Sequence, residues 1–266
     1  ATICPNSSAT LTATAPGGTY AWYDAQVAGN LLVTNATYTT PNLNTTTTYY
    51  VNTTNGFGCV SPFTPVAANV LNFLTVTASP NQTICIGVTA NLNATPNGAG
   101  YTYSWDSPGS PAFSTIVNPT ITPVATTIYT VTITSPNGCT GSNQTKVTVN
   151  PLPIPNPGNP IAFCAGQSGT IGGASTAGYT CAWLQTTGLS SSIISNPTVT
   201  LPNSGTTPIV NTYTLTVTLN GCQASNTVQV TVNPLPISNA GSPITLCAGQ
   251  TGVIGTASTT GYAYSW

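Results

Sequence analysis

A cysteine followed 18 to 20 residues later by a tryptophan recurs four times in this chain, and that recurrence limits the possible folds more than any other feature. The cysteines are Cys4, Cys85, Cys164 and Cys247, spaced 81, 79 and 83 residues apart, and the tryptophans are Trp22, Trp105, Trp183 and Trp266. The string VTVNPLPI at Val147 to Ile154 returns unchanged at Val230 to Ile237. FCAGQSGTIGGASTAGYTCAW from Phe163 aligns without a gap with LCAGQTGVIGTASTTGYAYSW from Leu246. Each complete copy closes alike, on an alternating Tyr-bearing stretch, a turn and a second cysteine: TTTTYYVNTTNGFGC to Cys59, TTIYTVTITSPNGC to Cys139 and NTYTLTVTLNGC to Cys222.

A period this long implies small domains in series rather than a thin solenoid. The expected boundaries are 1–73, 74–150, 151–233 and a truncated fourth repeat at 234–266. That last copy stops at Trp266 before any closing cysteine, so the sequence is expected to be a window on a longer protein.

Within a repeat, Thr, Val, Tyr and Ile alternate with period two, as in TKVTVNPLPI and NTYTLTVTLN, which buries one face of a strand and solvates the other. Gly, Pro and Asn punctuate these runs, and the NGC strings at Asn137 to Cys139 and Asn220 to Cys222 suit tight hairpins. No stretch has a helical period. Short strands at turn spacings of eight to twelve residues predict an all-β chain of tandem β-sandwiches, with the tryptophans Trp22, Trp105, Trp183 and Trp266 in their cores.

Domains of this size are marginal unless stapled. We expect the paired cysteines to be the staples, each tying a domain's opening segment to its own last hairpin: Cys4 to Cys59, Cys85 to Cys139 and Cys164 to Cys222. Closing a loop of roughly 55 residues in this way stabilises by about 4 kcal/mol in the chain-entropy model. Such bonds place the chain outside a reducing cytosol. Cys181 and Cys247 are left unpaired, and Cys181 stands where the sister repeats have Tyr20, Tyr103 and Tyr264.

These residues also resemble a known family. ICPNSSATLTATAPGGTYAWYDAQVAGNLLVTNATYTTPNLNTTTTYYV, with the following GC and SPFTPVAANV, is similar to Ig-like domains of large secreted proteins of Bacteroidota. VTVNPLPI, CAGQ, GYxYSW and YTLTVTLNGC resemble the Ig-like and PKD-like repeats of the same giant cell-surface proteins, gliding-motility adhesins among them. The resemblance implies type IX export, a location on the outer-membrane exterior, and a role in attachment or motility.

Charge narrows the functions further. The chain has one lysine, Lys146, two aspartates, Asp24 and Asp106, and no Glu, Arg or His. Nothing can neutralise a nucleic-acid backbone or an anionic membrane surface, and membrane insertion is not expected. Solvation falls to 75 Ser and Thr and 26 Asn, which respond little to pH or salt.

Proton-transfer catalysis lacks its usual groups, and Asp24 and Asp106 fall in different domains, so no catalytic site, metal site or cofactor is expected. Tyr23, pointing opposite to Trp22 on one strand, is the candidate ligand contact. The expected function is a non-catalytic extracellular stalk that spaces or presents an adhesive region toward a surface glycan or protein. The alternatives are a filament or sheath built from copies of the chain, and a glycan-binding appendage of a secreted enzyme.

Overall fold

The computed structural model describes residues 1–258, 260, 261 and 263–265; Trp266 lies outside them. Among the described residues there are strands and turns and no helix. The chain divides into two compact units, Ala1–Val149 and Asn150–Trp266.

The first unit opens with β1 (Thr2–Ile3), β2 (Thr10–Thr12), β3 (Thr19–Tyr23), β4 (Leu31–Val33), β5 (Thr37–Thr39), β6 (Thr47–Thr54) and β7 (Thr64–Val70). Five of these form a sheet in the order β1-β7-β6-β3-β4, and β2 pairs with β5 as a separate ribbon. Ala9 and Leu11 from the ribbon side share one buried cluster with Trp22, Tyr49, Val51 and Ala68 of the sheet, which makes the arrangement a sandwich. Alternation sets the inward face: Tyr49 and Val51 are buried on β6, and the residues between and beyond them are not.

The unit continues with β8 (Thr77–Ala78), β9 (Gln82–Cys85), β10 (Ala90–Asn91), β11 (Ala94–Thr95), β12 (Thr102–Ser107), β13 (Ser110–Ser114), β14 (Thr120–Ile121), β15 (Thr127–Thr134) and β16 (Thr140–Asn150). The main sheet runs β13-β12-β15-β16-β9, with two short ribbons, β10-β14 and β8-β11. Its cluster holds Leu92, Trp105, Val131, Ile133 and Val147.

In the second unit, β17 (Ile161–Cys164), β18 (Ser168–Thr170), β19 (Thr180–Leu184), β20 (Thr198–Thr200), β21 (Ile209–Leu219) and β22 (Cys222–Asn233) form the sheet β17-β22-β21-β19 and the ribbon β18-β20. Ile171, Trp183, Val199, Tyr213, Leu215 and Val230 are buried together there.

One register recurs in all three sandwiches. Trp22 lies opposite Val51, Trp105 opposite Val131 and Trp183 opposite Leu215. Each buried indole N–H donates to a carbonyl in the loop beyond the neighbouring segment: Asn35 at 3.0 Å, Ile116 at 3.1 Å and Ile194 at 2.9 Å. A buried indole needs such a partner, so the tryptophan fixes that loop as well as filling the core.

The opening strand determines where each domain's first cysteine lies. β1 runs parallel to β7, with Thr2 beside Asn69 and Ile3 beside Val70, and β17 runs parallel to β22, with Cys164 beside Asn233. β9 likewise lies beside β16. Cys4 and Cys164 therefore sit at or near the outgoing end of the strand that leaves their domains.

Candidate functional site

The cysteines occupy two recurring turns. In the opening turn the second residue after the cysteine has positive φ: Asn6 at 58°, Gly87 at 85°, Gly166 at 81° and Gly249 at 85°. In the last three copies the cysteine carbonyl accepts a 3.0 Å bond from the third residue on, Val88, Gln167 or Gln250. Glycine suits this site because it adopts the left-handed region without a Cβ clash.

The closing turns of the first two repeats share three hydrogen bonds, one of them from the Gly58 N–H to the Asn55 carbonyl at 3.0 Å and from the Gly138 N–H to the Ser135 carbonyl at 2.9 Å. Asn55 N–H donates to the Cys59 carbonyl at 3.0 Å, as Ser135 N–H does to Cys139 at 2.8 Å. The Cys59 N–H donates to Asn55 Oδ1 at 3.0 Å, and the Cys139 N–H to Ser135 Oγ at 3.1 Å. Gly58 and Gly138 both have φ of 82°. The third copy makes the tighter loop, Asn220 at 50° and Gly221 at 81° between paired Leu219 and Cys222, a two-residue turn with both φ positive.

The bond pattern departs from the sequence expectation. Cys4 is bonded to Cys139, with Cα atoms 5.4 Å apart and a sequence separation of 135. Cys59 and Cys164 are free and exposed, so the bonds expected from Cys4 to Cys59, Cys85 to Cys139 and Cys164 to Cys222 are not those of the structure. Cys85 and Cys222 are themselves disulfide-bonded.

Strand direction explains the difference. Ile3 pairs with Val70 at the outgoing end of β7, whereas the Cys59 turn precedes the incoming end of β7 at Thr64. Seven strand residues span roughly 20 Å, about three times the Cα separation a disulfide tolerates. In the third sandwich Cys164 lies beside Asn233, and Cys222 is the first residue of that same 12-residue strand. Cys4 instead lies beside the segment leaving the first sandwich, where Leu71 N–H donates to the Ile3 carbonyl at 2.9 Å. That segment, Leu71 to Leu74, lines a shared recess with Ser135, Asn137 and Cys139 of the next closing turn. The peptide at Gly141 passes so close under the Leu74 carbonyl and Val76 that a Cβ there would collide with both.

Cys181 is free and half-buried, packed against the core of the third sandwich. It lies opposite Val217, the register held by Tyr20 opposite Thr53 and Tyr103 opposite Ile133. Tyr20 uses its hydroxyl to bridge the Ala15 N–H and carbonyl, and Tyr103 donates to the Pro96 carbonyl. Among the described residues the thiol reaches no such partner, and an open cleft of about 830 Å³ lies there, lined by Ala174, Tyr179, Cys181 and Ile194. Cys247 is free and exposed.

Tyr23 meets Phe63 edge-on at 5.2 Å, and Tyr50 meets the same ring at 6.4 Å, so the three rings cluster on the side of the sheet away from Trp22. Asp24 accepts from the Asn30 N–H at 2.6 Å and Nδ2 at 2.8 Å, and Asp106 accepts from the Ala112 N–H at 2.8 Å. Both carboxylates clamp hairpin loops. The Asn30 side-chain and backbone donors hold the Asp24 carboxyl below the ordinary aspartate value. Burial pushes the phenols of Tyr49, Tyr129 and Tyr213 above theirs. Among the described residues no group of three His, Cys, Asp or Glu is placed to hold a metal ion.

The family model described as "Ig-like domain CHU_C associated" matches residues 1–71 and again 74–153, more than half of the sequence. The chain belongs to this Ig-like family. The chain's fold is all-β, tandem Ig-like sandwiches with disulfide bonds, and Ig-like repeats of this kind are generally structural rather than catalytic. Disulfides and Ig-like domains together point to an extracellular protein. No curated protein matches the chain.

Among solved structures, this Ig-like chain is similar to titin domains I67–I69, at 12% identity over 88% of this chain and 95% of that one, with a TM-score of 0.43. It is similar to the three N-terminal domains of the bacteriophage RB49 outer capsid protein Hoc, at 16% identity over 88% and 96%, with a TM-score of 0.40. Drosophila OTK extracellular domains 3–5 match at 13% identity over 88% and 94%, with a TM-score of 0.38.

Proposed function

We propose that this chain is a non-catalytic stalk segment of an extracellular adhesin, spacing or presenting an adhesive region and transmitting load between that region and the cell. The observation that carries the reading is the Cys4–Cys139 bond, which joins the start of one Ig-like repeat to the last hairpin of the next. Tension that enters near Cys4 passes directly to Cys139 and bypasses both intervening hydrophobic cores, so those domains are not the weakest links.

The finer reading follows the sequence resemblance: a surface protein of Bacteroidota, exported by the type IX route to the outer-membrane exterior and serving attachment or gliding. The near absence of Lys and Arg, one residue in 266, also removes trypsin-type cleavage sites, which suits a chain exposed outside the cell. Its adhesive partner on this reading is a surface glycan or protein held elsewhere along the protein.

The test is sedimentation velocity with negative-stain microscopy on the whole chain over a wide concentration range. A stalk segment stays monomeric and unbranched at every concentration. Ordered polymers would make the repeats themselves the assembly and displace this reading in favour of a filament or sheath.

A further inference from the structure

The free cysteines Cys59 and Cys164 occupy repeat positions at which Cys4, Cys85, Cys139 and Cys222 are bonded, while Cys247, the opening cysteine of the last copy, is free like Cys164. Cys59 holds the closing position and shares with Cys139 the same turn, the same three backbone and side-chain bonds and the same glycine φ. Cys164 holds the opening position of Cys4, at the outgoing end of a strand that runs parallel to its domain's last strand. The remaining opening and closing cysteines of the second and third repeats, Cys85 and Cys222, are in disulfide bonds as well.

What differs is the cover. Cys139 is 5% exposed, because the Leu71 to Leu74 segment and Cys4 lie against its turn. At the matching turn Cys59 is exposed and its neighbour Phe57 is 94% exposed, an apolar ring standing where a preceding repeat's outgoing segment would lie. By contrast Cys181, which has no place in the opening or closing series, is half-buried in its own domain.

We propose that these Ig-like repeats are joined by a staggered covalent ladder, in which each opening cysteine bonds the closing cysteine of the next repeat. Cys59 thus takes the opening cysteine of a repeat on its N-terminal side, and Cys164 the closing cysteine of a repeat on its C-terminal side. Each bond forms when two thiols give up two protons and two electrons to a disulfide donor, either glutathione disulfide or a thiol oxidoreductase, which is reduced to two thiols. The ladder rests on the extracellular reading only for its oxidising compartment. The neighbouring repeat is supplied by the same chain or by a second copy, and the chemistry is the same for both.

The test adds one of the chain's own repeats at either end: residues 74–150 placed before Ala1 of the whole 266-residue chain, or residues 151–233 placed after Asn233 in place of the last 33 residues. Both proteins are folded in a glutathione redox buffer, alkylated and mapped by mass spectrometry without reductant. The ladder requires Cys59 bonded to the Cys85 copy in the first protein and Cys164 bonded to the Cys222 copy in the second. Alkylation of Cys59 or Cys164 should then fall at least about ten-fold relative to the unextended chain, since only a free thiolate reacts. The Cys4–Cys139 peptide pair reports that the parent fold has formed in each case.

Full alkylation of Cys59 and Cys164 alongside an intact Cys4–Cys139 pair, or a Cys59 bond to Cys4, would overturn the ladder. The unextended chain distinguishes the source: Cys59-linked multimers abolished by Cys59→Ser mark a second copy, and a monomer marks the same chain. A ladder in a protein that nevertheless polymerises non-covalently would leave this inference standing and remove the stalk reading alone.

Discussion

Pulling the chain between handles at Ala1 and Leu152 distinguishes three possible cysteine patterns by length alone. Cys4 and Cys139 lie 5.4 Å apart at their Cα atoms and 135 residues apart in sequence. If no bond joins them, complete unfolding releases nearly all of that contour, roughly 450 Å at about 3.4 Å per extended residue. If each domain were stapled internally, Cys4 to Cys59 and Cys85 to Cys139, only the 26 residues from Cys59 to Cys85 would pay out, roughly 90 Å. With the crossed bond present, none of the residues between Cys4 and Cys139 lengthens the path, and β16 beyond it is already extended. Single-molecule force spectroscopy on the oxidised chain should therefore record almost no lengthening from this unit, and Cys139→Ser should restore the full roughly 450 Å. A rise of roughly 90 Å in the oxidised wild-type chain, or of roughly 450 Å, would refute the load-bypass argument.

Equilibrium unfolding gives a second measure: Cys4→Ser with Cys139→Ser should lower the stability of each sandwich by up to about 4 kcal/mol, since the bond closes a loop of about 65 to 70 residues around either one while the other stays folded. Gly141→Val should destabilise the second sandwich by about 1–3 kcal/mol in urea denaturation, because its side chain meets the Leu74 carbonyl and Val76. Trp105→Ala should cost about 3–5 kcal/mol, combining a large cavity with an unpaired Ile116 carbonyl; a cost below about 1 kcal/mol would mean the core had repacked. Thermal stability should be flat with pH between roughly 5 and 9, because the groups that folding shifts, Asp24 below its ordinary value and Tyr49, Tyr129 and Tyr213 above theirs, titrate outside that window. Asp24 titrates below the ordinary 3.8 when folded, so its contribution is present above that value and lost as pH falls through the folded one. Tyr213 titrates above 10.0 when folded, so its contribution is present below 10 and lost as pH rises through the folded value. Asp24→Asn should remove the Asp24 part of the acid-side decline and leave the alkaline side unchanged.

Much of the architecture is legible in the sequence because it depends on local rules. Period-two alternation in TTYYVNTT and TIYTVTIT states which side chains point inward, and Asn220-Gly221 states where the chain reverses, since few other pairs tolerate two successive positive φ values. The repeat itself predicts that the same register will return, as it does for Trp22, Trp105 and Trp183 opposite Val51, Val131 and Leu215. The matched clamps of Asp24 and Asp106 on their hairpin loops are less legible, because the acceptors are visible in the sequence and the loop N–H donors are not.

The cysteine pairing was decided by tertiary structure. Sequence spacing reports how much chain separates two thiols and nothing about which end of a strand each one reaches. The parallel pairing of β1 with β7 carries Cys4 to the outgoing end of its own domain, a strand's length from Cys59 and within bonding distance of Cys139 in the following domain. The same holds for the cleft at Cys181, where a tyrosine's loss is visible in the alignment of repeats but the surrounding Ala174, Tyr179 and Ile194 are gathered only by folding. Alternation, turns and repeats are properties of neighbours along the chain, so the sequence determined them. Strand direction is a relation between segments 65 or more residues apart, and the choice of disulfide partner follows from it.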